Sequence, residues 1–131
     1  MKVRIVPGKS AFEQIVYAAT RAFVSGELAH GEAFPSVRAL AADLKVHPNT
    51  AHKVIQHLIQ EGWLEVRPGI GTTVATPPRT RAPDRHRLVK AEVDQLVVSA
   101  RRMGASLGEI IEAVEESWKE TQNLRAVNDG R

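Results

Sequence analysis

Phe34–Val74, FPSVRALAADLKVHPNTAHKVIQHLIQEGWLEVRPGIGTTV, is the stretch whose reading decides the fold. Ser36 can cap a helix whose apolar positions Val37, Leu40, Ala41 and Leu44 are spaced to face one core. Lys45-Val46-His47 then forms a turn, and Pro48 stands where the next helix should begin. Proline suits a first helical position because its missing N–H would be unpaired there anyway. The second helix turns Ala51, Val54, Ile55, Leu58 and Ile59 inward, stops at Gly62, and leaves Asn49, His52, Lys53, Gln56 and Gln60 on its other faces. Short donors and acceptors at the front of such a helix are what base edges in a major groove require. Trp63–Val66 and Thr72–Val74 read as strands around the tip Arg67-Pro68-Gly69-Ile70-Gly71, whose glycines free the backbone. Two helices at a tight turn, then a hairpin, make a winged helix-turn-helix, an arrangement suited to duplex DNA.

Outward from this stretch the chain divides further. Residues 1–9 form a lead-in, extended at Val3–Val6 and turned by Pro7-Gly8. Ser10 and Glu13 make a capping box that opens the first helix, whose apolar face is Phe12, Ile15, Val16, Ala19, Phe23 and Val24 and whose end is Gly26. After the wing, Thr76–Pro83 is too proline-rich for a helix or a central strand and reads as a semi-stiff linker. One further helix is predicted from about Arg87 to Met103, with Val89, Val93, Leu96, Val97, Ala100 and Met103 inward. Gly104 breaks it from another, opened by the capping box Ser106–Glu109 and carrying Leu107, Ile110, Ile111, Val114 and Trp118. The expected architecture is mainly α: a winged helix-turn-helix domain of three helices and a two-stranded β-wing at 1–76, followed by a short α-helical hairpin. Residues 77–86 are the linker, 87–122 the two-helix segment, and 123–131 a polar tail. So short a hairpin has too small a core to stand alone, so its apolar stripes need a partner surface. That surface is either the winged domain of the same chain or the hairpin of a second copy, and a two-fold dimer is the commonest soluble oligomer. The dimerisation residues are then Val89, Val93, Leu96, Val97, Ala100, Ile110, Ile111, Val114 and Trp118.

Composition sets bounds. The 131 residues are 43% hydrophobic, enough to bury a core rather than remain disordered. No apolar run approaches the length of a membrane span and no leader pattern is present, so a cytoplasmic protein is expected. With no cysteine there are no disulfides and no thiolate metal sites. A net charge of +3 favours an anionic partner only mildly. Its distribution says more: Arg79, Arg81, Arg85, Arg87 and Lys90 crowd one segment against Asp84 alone, whereas Glu109, Glu112, Glu115, Glu116 and Glu120 make the distal part acidic. Such polarity can orient a protein on phosphate, though cations also simply solvate a loop.

From Ser10 to Val74 the chain resembles the amino-terminal DNA-binding domain of the GntR family of bacterial transcription regulators. The resemblance lies in EQI of the first helix, SGEL, FPSVRALA, VHPNT, EGWL and GIGTTV, in the family's order and spacing. VHPNT and the short carboxy-terminal segment resemble the YtrA-like subfamily, whose members are similar to repressors of operons that often encode transporters. The resemblance implies a homodimer, formed through that segment, on double-stranded DNA at a palindromic operator. It also implies a DNA-binding set. Ser36 and Arg38 lie in the PSVR block, where the arginine contacts operator; the alternative is a salt bridge from Arg38 to Asp43 or Glu32. Asn49 and Thr50 match recognition-helix positions, with local capping as their alternative. His47 is most simply a cap before Pro48 and a DNA contact second. Pro48 and His52 stand where the family often has arginine, which leaves base specificity open, and Lys53 can compensate at phosphate. Gly69, Ile70 and Gly71 match the wing tip, which enters the minor groove in the family, with Arg67 as a phosphate contact.

Other chemistries have little support. His30, His47, His52, His57 and His86 do not form a metal motif, and His52 and His57 are five apart, off the same helical face. Ser36 and Ser106 have capping explanations and no histidine–acid pair nearby, so no enzyme, cofactor or metal is expected. Two alternative functions stand beside a dimeric repressor. One is a regulator that senses a small-molecule effector at a dimer or domain interface, although the end of the chain leaves little room for an enclosed pocket. The other is a winged-helix adaptor that binds a partner protein without reading DNA.

Overall fold

The structure is a computed structural model that describes residues 1–77 and 80–122. Arg79 and the tail expected from residue 123 lie outside the described residues. The element order is α1 (Ala11–Ser25), α2 (Val37–Leu44), α3 (Pro48–Gln60), β1 (Leu64–Arg67), β2 (Gly71–Val74), α4 (Ala82–Arg102) and α5 (Leu107–Glu120). Two compact units result, Met1–Pro77 and Pro78–Glu120.

The first unit is built on α1, α2, α3 and the wing. Its buried residues are Ile15 and Ala19 from α1, Phe34, Leu40 and Ala41, then Ala51, Val54, Ile55 and Leu58 from α3, and Leu64 and Val74 at the wing root. Phe23 stacks on Trp63 with ring centroids 5.6 Å apart and meets Phe34 at 5.9 Å. Val24, expected inward, is exposed instead. It lies nine residues after fully buried Ile15, and at about 100° per residue that is the opposite side of the helix; Ala22 and Ser25 take the inner positions.

Helix ends follow the predicted signals. The Ser10 hydroxyl accepts from Glu13 N at 3.3 Å. The Ser36 hydroxyl accepts from Ala39 N at 3.1 Å. At the end of α3, Gly62 takes φ +82°, and Trp63 N donates back to Leu58 O at 2.9 Å. The end of α2 is different, for Lys45 adopts the left-handed conformation at φ +54° with no glycine to ease it. Val46 N donating to Ala41 O at 3.1 Å holds that turn.

The hairpin is antiparallel, pairing Leu64 with Val74, Glu65 with Thr73, Val66 with Thr72 and Arg67 with Gly71. The other edge of β2 is occupied by residues 31–34. Phe34 N donates to Thr72 O at 2.8 Å, Val74 N to Glu32 O at 2.9 Å and Gly31 N to Val74 O at 2.9 Å. β2 is thereby paired on both sides, and the chain entering α2 is tied to the wing. The lead-in has its own anchor. The Gln14 amide accepts from Val6 N at 2.9 Å and donates to Val6 O at 3.0 Å, while Met1, Val3 and Ile5 pack against the core.

In the second unit α4 begins at Ala82, well before the expected Arg87, so the predicted linker is helical over its last residues. Pro83 causes no break because it lies in the first turn, where no helical partner for its N–H is needed. Arg85, expected in the linker, is therefore on a helix, where Arg87 pairs with Asp84 at 3.3 Å and Lys90 pairs with Asp94. Gly104 at φ +78° turns the chain, and Ala105 N donates to Ala100 O at 3.0 Å. Ser106 caps α5 by accepting from Glu109 N at 3.2 Å.

Candidate DNA-reading surface

α2, the turn and α3 present the front of α3 to solvent. His47 forms the cap: its Nδ1 accepts from Asn49 N at 3.0 Å. Pro48 follows as the first helical residue. The side chains of Asn49 and Thr50 make no hydrogen bond to any described residue, so the capping alternative belongs to His47 rather than to them. Asn49, His52, Lys53, Gln56 and Gln60 are exposed and Thr50 is half-buried. Arg38 is exposed on α2 and forms no ion pair among the described residues, neither with Asp43 nor with Glu32. The outward face is thus a set of amide, hydroxyl, imidazole and cationic groups with few internal obligations, held on a helix whose other face is fully buried. That chemistry suits base edges and phosphates.

Losing the cap loosens the first turn that carries Asn49 and Thr50. His47→Ala is therefore expected to lower unfolding free energy by about 1 kcal/mol, whereas His47→Asp retains a cap acceptor. Urea unfolding of both variants checks this, and equal stabilities would show that the imidazole contributes nothing as a cap.

An open groove of about 590 Å3 runs beside α3, lined by Phe12, His52, Lys53, Gln56, His57 and Gln60. His52 and His57 both line it, and the ring of Phe12 from α1 lies 5.4 Å from that of His57 in an edge-on contact. His30 bonds the Thr76 hydroxyl at 2.8 Å. Among the described residues no cluster of three or more potential metal ligands forms.

Burial in the wing falls from root to tip. Leu64 and Val74 are buried, whereas Pro68, Gly69, Ile70 and Gly71 stand free. Arg67, expected to be available for phosphate, is engaged: Glu65 Oε1 accepts from its Nη2 at 2.8 Å and its Nε at 3.1 Å. Sequence reading missed that pair, although the spacing of two residues on one strand places both on the same face and could have revealed it.

In the second unit the apolar stripes are largely open. Ala100 is its one buried residue among those described, and Val97 and Ile110 are half-buried. Val89, Val93, Leu96, Ile111 and Val114 are exposed, and Trp118 is 73% exposed. Met103 and Leu107, expected inward, are exposed too, as are Leu88 and Val98. Between α4 and α5 runs an open groove of about 470 Å3, lined by residues that include Leu96, Ala100, Ile110, Ala113 and Val114. No described helix is long and apolar enough to cross a membrane.

Comparison with known proteins places these features. Residues 12–74 match the family described as bacterial regulatory proteins, gntR family. The HTH-type transcriptional repressor YtrA of Bacillus subtilis (strain 168) is 29% identical over 117 residues, 87% of this chain and 90% of that protein. A solved transcriptional antiterminator from Listeria monocytogenes EGD-e aligns with a TM-score of 0.77 at 23% identity, covering 92% of this chain and 91% of that one. YtrA from Sulfolobus acidocaldarius, a GntR-family transcription factor, aligns with a TM-score of 0.56 at 22% identity, covering 92% of this chain and 97% of that one. At those identities the structural likenesses speak to the fold.

Proposed function

We propose that this chain, whose residues 12–74 match the gntR family of bacterial regulatory proteins, is a DNA-binding transcription regulator of that family, a dimeric repressor acting in the bacterial cytoplasm on a palindromic operator. The observation that carries the reading is the front of α3, where Asn49, His52 and Lys53 are exposed and Thr50 is half-buried while Ala51, Val54, Ile55 and Leu58 are buried. Two such helices related by a two-fold axis meet half-sites about 34–36 Å apart, one turn of DNA. The open stripes of α4 and α5 support the dimer. Leu96, Val114 and Trp118 stay exposed in a hairpin that buries only Ala100 among its described residues, and a second copy is the surface that suits them. The relationship to a repressor of similar length supports repression.

In this reading Arg38 and Asn49 distinguish the operator from other DNA. Arg38→Ala or Asn49→Ala should lose roughly 1–3 kcal/mol of preference for a selected duplex over random duplex. Selection from a randomised duplex pool with the full chain, then titration of each variant at fixed salt, measures that preference. Equal losses on selected and random duplex would assign both residues to phosphate, and failure of the full chain to enrich any sequence would sink the function itself.

A further inference from the structure

We propose that the wing reads DNA shape through an uncharged apolar tip, with Ile70 as the specificity-determining residue and Glu65 keeping Arg67 off the phosphates. The inference deepens the DNA-reading function just described and rests on it. Pro68 and Gly69 are the central residues of a turn closed by Ile70 N donating to Arg67 O at 3.0 Å, with Gly69 at φ +77°. Gly71 follows at φ +113°, and a Cβ added at either glycine would meet nothing within 4 Å. The tip is therefore one branched apolar side chain, 71% exposed, flanked by bare backbone. A projection so slim suits a minor groove about 6 Å wide.

Its electrostatics are the decisive part. From Leu64 to Val74 the only charged residues are Glu65 and Arg67, and they bond one another. An exposed ion pair is weak by itself, and nearby phosphates compete for the guanidinium. Drawing Arg67 away, however, leaves the Glu65 carboxylate unpaired beside the same phosphates. The wing is neutral in either arrangement and adds nothing net to counterion release. What remains is contact of Ile70 with sugar walls and base steps. Such contact carries no hydrogen-bond code and so selects groove width and ease of deformation, favouring A·T-rich or pyrimidine–purine steps.

The test selects duplexes from a randomised pool with the full chain and with Ile70→Ala, then titrates the duplex chosen by the unsubstituted protein across salt concentrations. Ile70→Ala is expected to weaken that duplex about ten-fold with an unchanged salt slope. It should also lose enrichment of deformable steps beside an unaltered recognition-helix motif, whereas Ile70→Leu keeps both. The double variant Glu65→Gln/Arg67→Gln should leave the salt slope unchanged. Thermal melting confirms that each variant is folded. An Ile70→Ala protein that binds and selects as before overturns the proposal, as does a double variant whose slope flattens by about one unit per wing, which would make Arg67 a phosphate anchor. Failure of the unsubstituted chain to select any duplex would instead remove DNA reading itself, and the wing proposal with it.

Discussion

Ending the chain at Pro77 is expected to leave a folded winged unit whose affinity for a selected duplex falls by about two to four orders of magnitude. Folding should survive because the whole apolar core, from Ile15 to Val74, precedes that point. The aromatic contacts of Phe23 with Phe34 and Trp63, and the edge pairing of residues 31–34, are retained as well. Affinity should fall because, once one head of a dimer is bound, the second binds at a high local concentration set by the connection, and truncation abolishes that advantage. Circular dichroism and urea melts check the fold, sedimentation velocity the association state, and fluorescence anisotropy the affinity. A truncated protein that still sediments as a dimer, or binds as tightly as the full chain, would show that α4 and α5 are not the dimerising elements.

The second large effect is on stability. Leu58→Ala should cost about 2–5 kcal/mol, since the side chain is fully buried and its removal leaves a cavity that the fixed helix cannot close. A domain of this size has only about 5–15 kcal/mol in reserve, so a substantial part of it is lost. Leu58 also sits where α3 hands over to the wing, its carbonyl accepting from Trp63 N at 2.9 Å. DNA binding should therefore weaken in parallel with the fraction folded. Urea unfolding gives the magnitude. A change below about 1 kcal/mol would mean that neighbouring side chains refill the space.

The reading surface was legible because it is written in short-range terms. Ser36, Pro48 and Gly62 act on backbone groups within a turn of themselves, and the alternation of Ala51, Val54, Ile55 and Leu58 with exposed polar residues needs only the helical period. His47 was readable as a cap for the same reason. The early start of α4 was not, because Pro83 stops a helix in its interior and is welcome in its first turn, and composition does not say which applies.

By itself, then, the sequence determined the two reading helices, the glycine-bounded hairpin, the capped ends of α1, α2 and α5, and the presence of apolar stripes on α4 and α5, all interactions within a few residues along the chain. Tertiary structure alone decided that residues 31–34 pair with β2, that Gln14 holds the lead-in, and that α4 and α5 bury only Ala100 among their described residues. Helix periods and caps repeat wherever the local pattern occurs. A strand edge, a side-chain amide or an ion pair chooses its partner only once the folded chain has brought competing groups within a few ångströms, and there packing and hydrogen-bond geometry settle the choice.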